Sequence, residues 1–242
     1  MRIALISDIH GNLEALTAVF RDIESRGIDR IFCLGDIVGY GCNPRECMEL
    51  VKERCEVILM GNHDQVAAGD FPLEHYNNAA KASAMWTREQ LDDEASAFLM
   101  GLPLIHRLND ILLVHASPWQ PEDWHYIMTR DDAKVAFKCF DEPLCFYGHT
   151  HMPMIFCDAY EGTIRQQIGH DIFPDEEARY LVNIGSVGQP RDDDPRACYV
   201  SVDLDDKAID LHRVDYDVES AQRKMAGFNF PEILIERLAA GR

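Results

Sequence analysis

Side chains that bind metal ions recur in this chain at the ends of short apolar segments. The first pair is Asp8 and His10, which follow the apolar residues 2–6 and are separated by Ile9. Residues at positions i and i+2 of an extended chain point to the same side, so this strand end would present a carboxylate and an imidazole together. Such a donor pair suits Mn, Zn, Fe or Ni better than Ca or Mg. The same two residues are also compatible with a helix-capping Asp beside a buried His.

Four later apolar segments end in residues of the same kinds. In chain order, these residues are Asp36; Asn62, His63 and Asp64; His115; and His149 with His151. His149 and His151 are at positions i and i+2, like Asp8 and His10, so on an extended chain we expect their rings to share a face. A carboxylate that lies between two cations can bridge them, and an Asn offers a neutral amide oxygen. A His beside an Asp can donate and accept a proton, with its orientation and basicity set by the carboxylate. A turn or a buried His would explain any one of these residues, whereas the repetition favours one shared metal site.

The intervening segments have patterns that bring strand ends together. Residues 2–6 and 30–34 are apolar enough for buried strands, and between them Leu16, Phe20 and Ile23 recur at helical spacing. This β-α-β pattern predicts parallel strands whose carboxyl ends lie at one edge of a sheet, where open α/β folds place their sites.

The next segments first continue this alternation of helices and strands and then interrupt it. A helix that begins near Pro44 and ends at about residue 54 is predicted to lead to a third strand at 56–60. The rhythm of strands then stops between about residues 65 and 107, where two amphipathic helices are predicted. We interpret 65–107 as a helical insertion beside the site, and we expect residues 1–242 to form a single domain.

The rest of the chain is predicted to be rich in strands. In order, it contains strands at 111–114 and 144–147 with a helix at 131–140 between them, then strands at 154–157, 162–168, 179–184, 197–203 and 208–214, and helices at 218–226 and 231–239. The last five strands alternate with turns, and we expect them to form a second, largely antiparallel sheet.

Two loops contain residues that suit substrate contacts. The loop from Trp119 to Tyr126 is rich in aromatic residues, which could stack on a base or pack on one another. Arg191 ends a turn-rich loop, where it could reach a phosphate or belong to a structural turn.

Charge and cysteine content argue against several classes of protein. The formal net charge is −19, from 23 basic and 42 acidic residues, which disfavours a general surface for nucleic acids or anionic membranes because phosphates are bound through Lys and Arg. The eight cysteines include no Cys-x-x-Cys pair and are expected to be reduced thiols. No signal-peptide pattern and no apolar run of about 18 residues is present, so we expect a cytoplasmic protein without membrane contact.

The motifs, taken in this order, resemble those of the calcineurin-like metallophosphoesterase superfamily. They are Asp8-Ile9-His10, Gly35-Asp36, Gly61-Asn62-His63-Asp64, His115 and Gly148-His149-Thr150-His151. Residues 7–12, together with residues 183–188 after the last motif, are similar to the small prokaryotic phosphodiesterase branch. The resemblance implies an α/β fold, a four-layer sandwich in which two mixed β-sheets are flanked by helices.

The resemblance also implies two divalent transition-metal ions, of which Mn is the first expectation and Fe, Zn or Ni are alternatives. It assigns one ion to Asp8, His10, Asp36 and His151, and the other to Asp36, Asn62, His115 and His149. It makes Asp36 the bridging ligand and makes His63 and Asp64 the catalytic residues, with His63 facing the leaving group and Asp64 behind it.

The activity implied by the resemblance is hydrolysis of a phosphate ester or anhydride by in-line attack of a metal-bridging hydroxide. The expected partner is a small, nucleotide-like phosphorylated substrate. Phosphodiesters and nucleotide-type anhydrides, including dinucleoside polyphosphates, are favoured over phosphomonoesters.

Three alternatives to this activity are disfavoured. Protein Ser/Thr phosphatases of the superfamily have an Asp-Arg pair where this chain has Gly39 and Tyr40, so a protein phosphatase fits less well. A non-catalytic interaction scaffold of the same fold is disfavoured because His63 is present beside every expected ligand. The net charge argues against a nuclease, and the oligomeric state is not predicted.

Overall fold

Two mixed β-sheets form the centre of the protein in its computed structural model. The structure describes residues 1–69, 73, 76–159, 163–168, 174–175 and 177–242. The strands in these residues are β1 (Arg2–Ile6), β2 (Arg30–Cys33), β3 (Val57–Ile58), β4 (Ile105–Leu108), β5 (Ile111–Val114), β6 (Leu144–Tyr147), β7 (Met154–Ala159), β8 (Thr163–Ile168), β9 (Arg179–Asn183), β10 (Ala197–Asp203) and β11 (Ile209–Val214). The helices are α1 (Leu13–Ser25), α2 (Pro44–Arg54), α3 (Asn62–Ala68), α4 (Asn78–Gln90), α5 (Asp93–Met100), α6 (Arg130–Ala136), α7 (Val218–Gly227) and α8 (Glu232–Ala240), with a short 3-10 helix at Pro121–Asp123.

Each sheet contains three adjacent parallel strands. The first sheet has the order β11-β10-β1-β2-β3, in which β1, β2 and β3 are parallel and β10 is antiparallel to β1. The second has the order β4-β5-β6-β9-β7-β8, in which β5, β6 and β9 are parallel. The predicted motifs follow the carboxyl ends of β1, β2, β3, β5 and β6. Because parallel strands end at the same edge of a sheet, this topology gathers the motifs.

Side-chain alternation along β1 produces the layers. Ile3 and Leu5 pack between the two sheets, against Phe146 of the second sheet. Ala4 and Ile6 point the other way and pack with residues of α1 and α2. The outer face of the second sheet is covered by α6 and the residues that follow it, where Phe137 packs with Tyr147. The predicted four-layer sandwich is therefore confirmed.

The prediction that the last five strands form a sheet of their own is wrong. β10 and β11 extend the first sheet, where Val200 pairs with Leu5 of β1. β7, β8 and β9 extend the second sheet from β6. The physical reason is that β1 is buried on both edges, so its backbone groups need a hydrogen-bonding partner on the side away from β2. Alternation within a single strand does not reveal which distant strand supplies that partner.

The segment 65–107 contains the two predicted helices, as α4 and α5. It begins inside α3, which starts directly at Asn62, and it ends with β4, which pairs antiparallel with β5. Residues 70–72 and 74–75 of this segment lie outside the described residues. The interpretation of 65–107 as an insertion, and of the whole chain as a single domain, stays a prediction.

Helices α4, α7 and α8 pack around the loop that follows β2. Tyr40 of this loop is buried with Ala80 of α4, Met225 of α7 and Leu234 of α8. Among the described residues, none of the helices has both the length and the apolar character that crossing a membrane requires.

Candidate metal centre

All the predicted site residues are buried where the strand ends meet. The set consists of Asp8, His10, Asp36, Asn62, His63, Asp64, His115, His149 and His151, and none of them is more than 7% exposed. Burying this many carboxylates and imidazoles without partners is costly, because each charged or polar group loses its hydration. Their arrangement therefore has to compensate for that cost.

Six of these residues form two groups of possible metal ligands that share one carboxylate. The first group consists of Asp8, His10, Asp36 and His151. The second consists of Asp36, His115 and His149. Within each group the candidate ligand atoms lie within 4.8 Å of one another. The side chain of Asp36 thus lies between the two groups.

In the first group, the lone pairs of two imidazole nitrogens point at each other. Nδ1 of His10 donates to the carbonyl oxygen of Val38 at 3.2 Å, and Nδ1 of His151 donates to that of Gln189 at 2.6 Å. Burial lowers the pKa of both histidines, so both are neutral and both Nε2 atoms are acceptors. These Nε2 atoms are only 3.1 Å apart, and Oδ1 of Asp8 lies 3.2 Å from Nε2 of His151. Three acceptors this close together repel one another unless a cation lies among them.

The second group has the same character. Nδ1 of His115 donates to the carbonyl oxygen of Leu34 at 3.0 Å, and its Nε2 lies 3.4 Å from Oδ2 of Asp36. Burial lowers the pKa of His115, but the Asp36 carboxylate outweighs burial and raises it to about 9. Burial and the charge of His115 lower the pKa of His149 to about 3. In the metal-free chain His115 is therefore protonated at neutral pH, and a metal ion would compete with that proton.

Asn62 joins the second group through its side-chain oxygen. Its Nδ2 donates to the hydroxyl oxygen of Tyr76 at 3.2 Å, which turns Oδ1 toward the site. Oδ1 itself is buried and has no hydrogen-bond partner in the part of the chain that the structure describes.

Five buried polar atoms at this site lack hydrogen-bond partners among the described residues. They are Oδ1 of Asp8, Oδ2 of Asp36, Oδ1 of Asn62, Nε2 of His115 and Nε2 of His149. Leaving one buried polar atom unsatisfied typically costs about 1–3 kcal/mol, so five that converge call for a common partner. Imidazole and carboxylate donors in two adjoining groups fit two divalent transition-metal ions.

The backbone at these residues differs from the extended chain assumed from the sequence. Asp8, His10, Asp36, His149 and His151 all have left-handed conformations, with φ between 50° and 65°. The expectation that His149 and His151 share a face is therefore wrong. They belong to different groups, because each lies on a tight turn that points the two rings in different directions.

Gly148 allows two of these turns to touch. The main-chain N–H of His149 donates to Oδ2 of Asp8 at 3.0 Å. A Cβ atom at position 148 would lie 2.3 Å from Oγ of Ser7 and 2.4 Å from Oδ2 of Asp8, which is far inside van der Waals contact. A side chain at this position would displace the Asp8 carboxylate.

His63 lies next to both groups without joining either. Its main-chain N–H donates to Oδ1 of Asp36 at 2.8 Å, which leaves Oδ2 of that carboxylate directed at the histidines. The centroid of its ring lies 4.9 Å from that of His10 and 4.4 Å from that of Tyr40. The ring rests on Gly39, where a Cβ would come within 2.8 Å of Nδ1. Gly39 is thus required for the position of His63.

Asp64 does not occupy the place that the sequence suggested. Its Oδ1 accepts hydrogen bonds from the N–H groups of Ile37 at 2.9 Å and Val38 at 3.1 Å, and its Oδ2 accepts one from Gly61 at 3.0 Å. Both carboxylate oxygens are therefore engaged by the main chain rather than by the His63 ring. Asp64 ties the loop after Asp36 to the start of α3.

Comparison with known proteins agrees with this geometry. A family model described as the calcineurin-like phosphoesterase superfamily domain matches residues 1–207. The chain belongs to this superfamily. The prediction made from the motifs is therefore confirmed.

Similar proteins cover the chain almost completely. An uncharacterized protein of Methanocaldococcus jannaschii is 43% identical over 244 residues, which span 99% of this chain and 98% of that protein. The crystal structure of a metallophosphoesterase from Sphaerobacter thermophilus is 41% identical, with a TM-score of 0.89 and coverage of 100% of this chain and 99% of that one. A hypothetical protein from Pyrococcus horikoshii, 22% identical, shares the fold with a TM-score of 0.82, covering 100% of this chain and 98% of that one.

Aromatic residues around the centre of this calcineurin-like phosphoesterase were only partly foreseen. Tyr126 stacks on His149 with ring centroids 4.1 Å apart, and Trp124 meets His115 edge-on at 5.8 Å. Trp119 stacks on His125 at 4.2 Å, so the loop packs partly on itself and partly on the site. The sequence marked this loop as aromatic but not which rings reach the centre.

Three contacts at the site were not predicted from the sequence. Tyr76 orients Asn62, the carbonyl oxygen of Gln189 orients His151, and the ring of Tyr40 packs 4.7 Å from that of His10. The only available signal was their occurrence in or near the motif loops. Arg45, near the start of α2, pairs with Asp92 at 2.6 Å.

Proposed function

We propose that this phosphoesterase hydrolyses phosphodiesters or nucleotide-type phosphoanhydrides, dinucleoside polyphosphates among them, with two divalent transition-metal ions. The observation that carries the proposal is the pair of buried donor groups that share Asp36. Mn is the favoured metal, with Fe, Zn or Ni as alternatives, because these ions accept mixed imidazole and carboxylate ligands.

The proposed ligands follow the two groups. Asp8, His10, Asp36 and His151 would hold one ion, and Asp36, Asn62, His115 and His149 would hold the other. When bound, such ions lower the pKa of water to supply a nucleophile and neutralise charge on the phosphate. Main-chain carbonyl groups accept hydrogen bonds from Nδ1 of His10, His115 and His151, which orients the Nε2 atom of each ring as a metal ligand.

His63 is proposed to act on the leaving group. Burial lowers the pKa of its imidazole to about 4, and the charge of Arg191 contributes in the same direction. The ring is therefore neutral at neutral pH, which favours hydrogen-bond donation to the departing oxygen over transfer from a preformed imidazolium. Groups in such a role typically contribute about 10²–10⁴ in rate.

Asp64 is proposed as a positioning residue rather than a direct partner of His63. Its bonds to the N–H groups of Ile37, Val38 and Gly61 support the backbone on both sides of Asp36 and Asn62.

An exposed aromatic ring beside the candidate centre supports a nucleotide-like substrate. Tyr126 is 52% exposed although it stacks on His149, so it offers a ring face beside the second donor group. Bases stack on such faces, typically contributing about 1–3 kcal/mol per base.

A cytoplasmic location is part of the proposal. All eight cysteines have free thiols, four of which are fully buried in the cores (Cys33, Cys47, Cys145 and Cys198), as is typical of proteins from reducing compartments.

The experiment that tests the proposed function is turnover of the Mn-loaded protein on methyl aryl phosphodiesters whose phenols differ in pKa. We expect the wild-type protein to hydrolyse every phosphodiester of the series. His63→Ala should keep its bound metal, measured by elemental analysis, but lose turnover most severely with the poorest leaving groups. His106→Ala, on β4 away from the site, is the control and should behave like wild type. Equal loss across the series would contradict the role of His63, and an inactive metal-loaded wild type would contradict the proposed function.

A further inference from the structure

Two arginine side chains lie against the same aromatic ring at the edge of the candidate centre. The guanidinium carbon of Arg191 is 5.7 Å from the centroid of the Tyr40 ring, and that of Arg237 is 5.9 Å from it. The Tyr40 ring in turn contacts the rings of His10 and His63, with centroids 4.7 Å and 4.4 Å away. Tyr40 therefore separates the two positive charges from the buried donor groups by one ring.

Neither arginine pairs with the side chain of an Asp or Glu among the described residues. Among the described residues, no Asp or Glu oxygen lies within ion-pair distance of Arg191 or Arg237, although other arginines such as Arg30 and Arg213 pair with Glu56 and Asp192.

The hydrogen bonds of the two side chains leave donors unused. Arg191 donates from Nη2 to the side-chain oxygen of Gln189 at 2.9 Å, while its Nε is buried without a partner in the described part of the chain. Arg237 donates from Nε to the main-chain oxygen of Arg242. Burial, and then the charge of Arg191, lower the pKa of Arg237, which shows that the two cations destabilise each other. An anion beside the two side chains would offset that repulsion.

A groove lies beside Tyr40 and Arg237. It has a volume of about 420 Å³ and is lined by Tyr40, Asn77, Ile233, Glu236 and Arg237 among others. The Tyr40 ring contacts both this groove and the rings of His10 and His63, so a phosphate bound at Arg237 would lie one ring away from the donor groups.

The geometry points to a subsite for a second phosphate group of the substrate, formed by Arg191 and Arg237 across Tyr40, beyond the phosphate that is hydrolysed. It rests on the proposed function and narrows its substrate class to molecules that carry at least two phosphates. Guanidinium groups suit this role because they donate two parallel hydrogen bonds to phosphate oxygens.

The test compares inhibition of bis-p-nitrophenyl phosphate hydrolysis by inorganic orthophosphate and by inorganic tripolyphosphate in the Mn-loaded enzyme. In Arg237→Gln, which loses a charge-assisted hydrogen bond, inhibition by tripolyphosphate should weaken by roughly tenfold to a hundredfold relative to inhibition by orthophosphate. Arg237→Lys keeps the charge and should recover part of the difference. Arg223→Gln, which removes an exposed arginine of α7, is the matched control and should leave the ratio of the two inhibition constants unchanged.

Calorimetric titration of the metal-free protein with tripolyphosphate separates failure of the subsite from failure of the proposed function. If the Mn-loaded wild type is inactive but its metal-free form binds tripolyphosphate more tightly than Arg237→Gln does, the subsite stands and the proposed function falls. Equal binding by the two proteins, or an unchanged inhibition ratio in Arg237→Gln, would overturn the subsite.

Discussion

Replacing Gly148 by alanine tests whether the close approach of two turns builds the candidate centre. The new Cβ would lie 2.3 Å from Oγ of Ser7 and 2.4 Å from Oδ2 of Asp8, so the Asp8 carboxylate has to move by several tenths of an ångström. That shift disturbs the bond from the N–H of His149 to Asp8 as well. One methyl group therefore displaces a proposed ligand in each of the two groups.

The size of the effect follows from these contacts. Overpacking of a tight site costs about 1–3 kcal/mol, which for a chain of this length lowers the melting temperature by about 2 to 12 °C. Displacing a residue that orients metal ligands typically weakens metal affinity by roughly tenfold to a hundredfold. Because Asp8 and His149 belong to different groups, we expect both binding steps to weaken.

Thermal unfolding and calorimetric titration with Mn²⁺ measure the two effects. Gly227→Ala is the matched control, since a Cβ there meets no atom within 4 Å and the variant should be as stable as wild type or slightly more so. A Gly148→Ala protein with wild-type stability and wild-type Mn²⁺ affinity would refute the reasoning.

Two further predictions concern the second group. Tyr76→Phe removes the hydroxyl that holds Asn62, so calorimetry should show up to about a tenfold loss in one Mn²⁺ binding step and none in the other; equal loss in both would contradict this role. In EDTA, urea unfolding should show stability falling by about 3 kcal/mol between pH 6.5 and pH 9, because the pKa of His115 is raised to about 9 in the folded chain and its stabilising proton is lost over that interval. His115→Asn should lack this part of the fall, and an identical pH dependence in both proteins would contradict it.

The location of the candidate centre was predictable because it depends on local features. An apolar run that ends in glycine and a carboxylate or imidazole marks a strand end, and parallel strands bring such ends together. Asp8, Asp36 and His115 come from three different strands, yet each was identified from its own few neighbours.

The orientation of these residues was not predictable in the same way. His149 and His151 separate into different groups because of left-handed backbone turns, which the residue types alone did not indicate. Asp64 is taken up by main-chain N–H groups of a loop about 27 residues earlier in the chain, a contact set by how α3 packs. Such contacts depend on tertiary packing rather than on sequence neighbours.

Strand pairing was the other feature that could not be predicted from the sequence. The apolar sequence of β10 suits a buried strand in either sheet, and only the need of buried β1 for a second hydrogen-bonding neighbour places it beside Leu5. The paired arginines at Tyr40 come together for a similar reason, since Arg191 and Arg237 lie 46 positions apart and meet only once α8 packs on the loop after β2.

The central claim is that Asp36 belongs to two cation sites at once. Its Oδ2 lies 3.6 Å from Nε2 of His10 and 3.4 Å from Nε2 of His115, so an amide nitrogen at this position would face both sites. Metal content per chain, measured by elemental analysis after loading with Mn²⁺ and gel filtration, tests this most directly, with the exposed Asp131→Asn as control. We predict about two ions per chain in wild type and in the control, and joint loss of both in Asp36→Asn. An Asp36→Asn protein that keeps one ion at full occupancy, or a wild type that binds none, would contradict the account.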